Sequence, residues 1–165
     1  MVTLKRILVA TDFGEAGDSA LAYGRELARG YGATLYIIHV VDDVGARMMT
    51  SSALPYDVTA FQQNLDEAAQ RMLESLGADN DNGRLHIVTV QRVSTSPAAA
   101  IVDYAAEVGI DLIVVGTHGR GAMGHLLMGN VAERVVRTAD CPVLTVRHPE
   151  HEFIRTDALQ VVARA

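Results

Sequence analysis

The sequence predicts an α/β fold: a doubly wound, five-stranded parallel sheet with helices on both faces. Five short runs dense in β-branched and other apolar residues alternate with stretches whose apolar residues recur at three- and four-residue steps. Three of the runs are nearly unbroken in apolar residues, the pattern of a strand covered on both sides. The length of 165 residues, with 49% hydrophobic and 21% charged, suits a single core and not a disordered chain.

The first strand is Ile7 to Ala10, and its exit runs from Thr11 to Asp18. A helix follows, with Ala20, Leu21, Tyr23, Gly24, Leu27 and Ala28 at helical spacing, Asp18 or Ser19 as N-cap, and Gly30 and Gly32 as stop signals. Leu35 to Val41 is the second strand. The stretch Val44 to Asp57, VGARMMTSSALPYD, reads as a long connection of the kind that is functional or mobile. Thr59 to Leu76 is a second helix carrying Phe61, Leu65, Ala68, Ala69, Met72 and Leu76, stopped by Gly77. Asp79 to Arg84 is a turn into the third strand, Leu85 to Val90, whose exit is Gln91 to Ser96. Pro97 to Val108 sets Ile101, Tyr104, Ala105 and Val108 on one side of a helix before the fourth strand, Leu112 to Val115. Asn130 to Ala139 packs Val131, Val135 and Val136, and Val143 to Val146 is the fifth strand. There is no internal repeat and no low-complexity tract.

Composition narrows the function classes. A net charge of -6 gives no broad attraction to phosphate backbones or anionic lipid, so nucleic acid is not expected as a partner. The single cysteine, Cys141, excludes an internal disulfide framework and a four-cysteine zinc site and fits a reducing compartment. The apolar run near the N-terminus is too short for a signal peptide, and no stretch approaches a membrane span. A cytoplasmic location is expected. Six histidines, at 39, 86, 118, 125, 148 and 151, form no metal-binding pair on a helix, so no protein-ligated metal is expected.

In a doubly wound sheet ligands sit at the carboxyl ends of the strands, where strand order reverses. The exit of the fourth strand, GTHGRGAMGHLLMGN, carries glycines at 116, 119, 121, 124 and 129. Glycine lets the backbone approach a ligand and turn its N–H groups onto an anion, and the helix beginning at Asn130 adds free N–H groups and a favourable dipole. Together these predict a phosphate cradle. Gly119, Gly121 and Gly124 spell G-x-G-x-x-G, but the dinucleotide fingerprint belongs after the first strand and needs an acidic residue at the end of the next. Here strand five ends in Val146 and Arg147, and no P-loop motif is present.

The segments ILVATDFGEAGDSAL, HVVDD, DLIVVGTHGRG and CPVLTV resemble the universal stress protein family in its small single-domain form, over roughly Lys5 to Arg147. The resemblance implies the adenine nucleotide alpha hydrolase-like fold, with a domain at 1–147 and an extension at 148–165. Nucleotide-binding members carry G-x2-G-x9-G-[ST]; this chain has Gly116, Gly119 and Gly129 at that spacing, followed by Asn130 where Ser or Thr is usual. Asparagine caps a helix and still donates from its amide, and Glu133 approximates a capping box.

The resemblance implies a homodimeric stress-response regulator binding ATP, or AMP or ADP. Asp12, beside Thr11, then bonds the nucleoside, Val40 backs the adenine, Gly116 and Gly119 follow ribose and phosphates, and Gly129, Asn130 and Val131 donate to the terminal phosphate. Arg120 adds a phosphate cation and His118 stands beside the cradle, with no carboxylate or nucleophile spaced to make it an acid or base. Magnesium, when bound, is held through the phosphates. The family pairs its fifth strand with its twin, implying a dimer through Val143, Leu144, Thr145 and Val146.

His39, by contrast, reads as a core or interface residue, and Cys141 as a buried, inert thiol. Met123, Leu126, Leu127 and Met128 are expected to pack under the loop or against a partner. In the tail, Thr156 caps a short helix with Leu159, Val162 and Ala163, stable only if docked. Asn130 also leaves open a second reading, a dimeric interaction module of this fold without nucleotide. A third, an ATPase or ATP pyrophosphatase, finds neither S-G-G-x-D-S at the first exit nor a positioned base for water, although slow hydrolysis stays open.

Overall fold

A computed structural model describes residues 2–48, 57–78, 83–117 and 129–147. In chain order the elements are β1 (Arg6–Ala10), α1 (Glu15–Tyr31), β2 (Thr34–Val41), α2 (Val44–Met48), α3 (Val58–Ala78), β3 (Ile87–Val93), α4 (Pro97–Val108), β4 (Leu112–Gly116), α5 (Asn130–Thr138) and β5 (Val143–Val146). The five strands form one parallel sheet in the order β3-β2-β1-β4-β5. Strand order therefore reverses between β1 and β4, and β3 and β5 are the edges.

Alternation along the central strands divides the core into two layers. Ile7, Val9, Leu35, Ile37, Val114 and Val146 pack with Ala20, Leu21 and Ala28 of α1 and Leu73 of α3. Leu8, Ala10, Ile38, Ile113 and Val115 pack with Ala98, Ile101, Tyr104 and Ala105 of α4 and Ala132 and Val135 of α5. Both faces of β1 are thus sealed, which is why its sequence reads as an unbroken apolar run. Burying a side chain such as Ile7 or Leu8 completely contributes about 2 kcal/mol.

Several boundaries differ from those the sequence predicts. Helix α1 begins at Glu15, not after Asp18 or Ser19, because the chain turns sharply at Thr11–Gly14 and the Asp18 N–H already bonds the Gly14 carbonyl at 2.9 Å. Gly14 is the N-cap, and Asp18 lies in the first turn, where its charge favours the dipole. The helix runs through Gly30 and stops at Gly32, whose φ of 64° places it in the left-handed region. Part of the predicted long connection is helical: the Asp43 carboxylate accepts the Ala46 N–H at 2.8 Å and starts α2. The Asp57 carboxylate, accepting from Thr59 and Ala60 at 3.1 Å each, starts α3 at Val58, and α3 continues through Gly77.

Strand β3 is displaced from Leu85–Val90 to Ile87–Val93. Leu85 is buried just ahead of it, while Gln91 and Arg92 continue the ladder opposite His39 and Val40. An edge strand tolerates such polar residues because backbone pairing does not depend on them. At α5 the N-cap is Gly129, with Asn130 the first helical residue, and Glu133 makes an ion pair with Arg137 at 2.9 Å in place of a capping box. Residues 49–56 and 79–82, the loop from His118 to Met128 with Met123, Leu126 and Leu127, and the extension 148–165 lie outside the described residues.

Candidate functional site

At the carboxyl end of the sheet, where β1 and β4 part, lies a cavity of about 420 Å³. Its apolar side is built by alternate residues that continue the core layer beneath α4 and α5. Ile38 and Val40 come from β2, Ala10 from β1 and Val115 from β4, with Pro97 and Ile101 of α4 opposite. The polar side comes from the strand exits: Thr11 and Asp12 after β1, Gly116 and Thr117 at the end of β4, and Gly129, Asn130, Val131 and Ala132 at the start of α5.

The first exit is held in a tight turn. The Thr11 N–H donates to the Ile38 carbonyl at 3.0 Å, its Oγ1 accepts the Phe13 N–H at 3.0 Å, and Asp12 Oδ1 accepts the Gly14 N–H at 3.0 Å. Phe13, at φ 58°, is the one non-glycine residue with positive φ among the described residues. This turn fixes the direction of the Asp12 carboxylate, the only acid lining the cavity among the described residues.

The fourth exit is shaped by close approach. A Cβ on Gly116 would stand 2.6 Å from the Ala16 carbonyl oxygen, so only glycine lets α1 press against the end of β4. Thr117, 6% exposed, donates its N–H to the Val146 carbonyl at 2.8 Å, and its own carbonyl accepts the Gly129 N–H. That last bond ties the end of β4 to the start of α5 across the loop between them. The first intrahelical bond of α5 is made by the Glu133 N–H, so the N–H groups of Asn130, Val131 and Ala132 have no acceptor inside the helix. The N-cap, Gly129, has no side chain to cap them, and the helix dipole adds partial positive charge there. The arrangement can take a flat apolar group against Val40, Pro97 and Ile101 while presenting donors to an anion at α5 and an acceptor, Asp12, between them.

Of the residues the sequence singles out, Thr11, Asp12, Val40, Gly116, Gly129, Asn130 and Val131 are gathered around this cavity. His118, Gly119 and Arg120 lie outside the described residues. The sequence reading missed Gly17, Thr117, Pro97, Ile101 and Ala132 as lining residues. Pro97 and Ile101 carried the signal of a core-facing helix, and only the packing of α4 over the strand ends turns that face into a cavity wall. His39 lines the cavity and bonds the Thr11 carbonyl at 2.8 Å. Cys141 is half-buried, and burial pushes its thiol up, the direction of an unreactive cysteine. Among the described residues no group of three His, Cys, Asp or Glu side chains could hold a metal ion, and no helix is long and apolar enough to cross a membrane.

Comparison with known proteins returns one family. The profile of the universal stress protein family matches residues 3–147. The universal stress protein MJ0531 of Methanocaldococcus jannaschii is 32% identical over 152 residues, covering 90% of this chain and 85% of that protein. The solved structure of MJ0577, from the same organism, superposes with a TM-score of 0.77 at 25% identity, over 89% of this chain and 98% of that one. A universal stress protein from Archaeoglobus fulgidus, solved in complex with dAMP, shares the fold with a TM-score of 0.60 at 22% identity, over 88% of this chain and 98% of its own.

Proposed function

This chain belongs to the universal stress protein family, and on that premise we propose that it binds an adenine nucleotide, ATP or its mono- or diphosphate, in the cavity at the carboxyl end of the sheet. The observation that carries the reading is the junction, within one cavity, of an apolar slot and a helix N-terminus whose cap residue is a glycine. In this reading the adenine lies against Val40, Pro97 and Ile101, and Asp12 accepts from a ribose hydroxyl. Gly116 borders the sugar and phosphates with its backbone, while its lack of a side chain serves the close contact with α1. The N–H groups of Asn130, Val131 and Ala132, with the Asn130 amide, donate to the phosphates. Gly119, His118 and Arg120 complete the phosphate side. Magnesium accompanies the phosphates without protein ligands of its own.

The base, ribose and phosphate assignments follow the family resemblance, and the lining of the cavity supports them with an apolar wall, one carboxylate and the start of α5. In this reading the role is binding and not rapid turnover, with Asp12 as the one carboxylate lining the cavity among the described residues. The protein acts as a cytoplasmic stress-response regulator, dimeric through β5.

Thermal unfolding of nucleotide-stripped protein across a titration of Mg-ATP, with AMP and GTP as comparisons, tests the reading. At one hundred times the dissociation constant a native-state ligand adds about 2.7 kcal/mol, and the midpoint rises by about 5 to 11 °C for a chain of this size. A flat response up to millimolar nucleotide overturns it.

The replacement of Ser or Thr by Asn130 supports a second reading, a dimeric interaction module without nucleotide. Asn130→Ser separates the two: if the parent binds no ATP and the variant does, the site has been lost and the module reading stands.

A further inference from the structure

We infer that His39 is a positioning residue, which holds the turn that aims Asp12 into the cavity. Along β2, Leu35 and Ile37 belong to the core layer under α1 and α3, while Ile38 belongs to the layer under α4 and α5. His39, two residues beyond Ile37, shares the α1 side. Its ring lies 4.3 Å from the ring of Phe13, centroid to centroid and tilted by 35°, and Phe13 packs against that same layer. The imidazole thus stands under the Thr11–Gly14 turn, whereas Ile38 and Val40 form the apolar wall above it.

His39 Nδ1 is 2.8 Å from the Thr11 carbonyl oxygen. A carbonyl only accepts, so Nδ1 carries the proton. This bond pins the residue whose hydroxyl accepts the Phe13 N–H and whose neighbour, Asp12, accepts the Gly14 N–H. Phe13 itself sits at φ 58°, a conformation that disfavours a bulky side chain and persists only where its surroundings enforce it. The Thr11 hydroxyl, the Asp12 carboxylate and the His39 ring, which both donates to Thr11 and packs on Phe13, supply that enforcement. Without the imidazole, the turn loses its support from below and the Asp12 carboxylate loses its fixed direction.

This deepens the nucleotide reading and rests on it only for the effect on ligand affinity. The test compares the wild type with His39→Leu, which removes the donor, and His39→Asn, whose amide nitrogen is bonded to Cγ as Nδ1 is. Long-range proton–nitrogen spectra of the wild type should show the proton on Nδ1 of His39. Amide exchange at Phe13 and Gly14 should quicken about tenfold in His39→Leu relative to the amides of β1, the effect of losing one hydrogen bond, and return to within about threefold of wild type in His39→Asn. Adenine nucleotide affinity should follow the same order, falling about tenfold in His39→Leu.

A proton on Nε2, or Phe13 and Gly14 amides that exchange alike in the wild type and His39→Leu, or alike in the two variants, overturns the inference. If the wild type binds no nucleotide, the proposed function fails while the exchange and proton-position results still decide the role of His39. If His39→Leu does not fold, the wild-type proton position decides it.

Discussion

Asp111 shows how one carboxylate at the start of a strand can organise the sheet. It precedes β4, and its Oδ2 accepts the N–H of Lys5 at 2.7 Å and of Arg6 at 2.8 Å, joining the entrance of β1 to that of β4. The Lys5 N–H, and then that of Arg6, hold its carboxyl below the usual range despite the opposing effect of burial. A carboxyl lowered on folding stabilises the fold above its unfolded value and loses that contribution as pH falls through the folded one. Asp111→Asn should therefore cost about 1 kcal/mol at pH 7, a modest figure because water screens the group. The gap in denaturant midpoint between variant and wild type should begin to narrow as pH drops below about 4; a gap that stays constant throughout the acid range would refute this account. Neither partner is legible in the sequence, since Lys5 and Arg6 contribute their backbone and stand more than a hundred positions away. The strand exits that hold Asp12 and Val40 were legible from the alternation of strands and helices, whereas the family resemblance singled out those two residues.

Among the elements, α1 depends on small residues where it crosses the sheet. A Cβ on Gly24 would overlap the side chain of Val9, with Leu35 Cδ1 at 3.5 Å behind it. Gly24→Ala should destabilise the protein by about 1 to 3 kcal/mol, although alanine is the better helix former, because Val9 is fully buried and stiff at χ1. Calorimetry on the single variant and on Gly24→Ala with Val9→Ala checks the mechanism: the second change should recover part of the loss of the first if overlap is the cause. The helix itself was legible from its spacing, but its start was not. Propensity points to Asp18 or Ser19 as cap, whereas the turn at Phe13 starts α1 at Glu15. The shift of β3 toward Gln91 and Arg92 has a similar origin: ladder bonds are made by backbone, so polar side chains on an edge do not end a strand that apolar counting would end.

For the whole molecule, the edge strand β5 is where the proposed dimer can be tested. The carbonyls of Pro142 and Val146 accept from Ile113 and Thr117 of the β4 side at 3.0 and 2.8 Å. With a period of two, Val143 and Thr145 turn their backbone groups to the free edge. If the dimer forms there, Thr145→Pro removes an outward donor without removing one that β4 uses. Sedimentation should show the wild type as a dimer and this variant as a folded monomer, with an unfolding midpoint that no longer rises with protein concentration. A variant that remains dimeric would move the interface elsewhere. By itself the sequence determined the five strands and four of the five helices that alternate with them, the parallel sheet and the glycine spacing at the fourth exit, because periodicity and glycine act through local sterics and burial. The tertiary structure alone decided that Pro97 and Ile101 wall the cavity, that Gly116 must admit α1, and that His39 supports the turn of Asp12. Those relations arise between residues far apart in the chain, which only the packing of helices over the strand ends brings into contact.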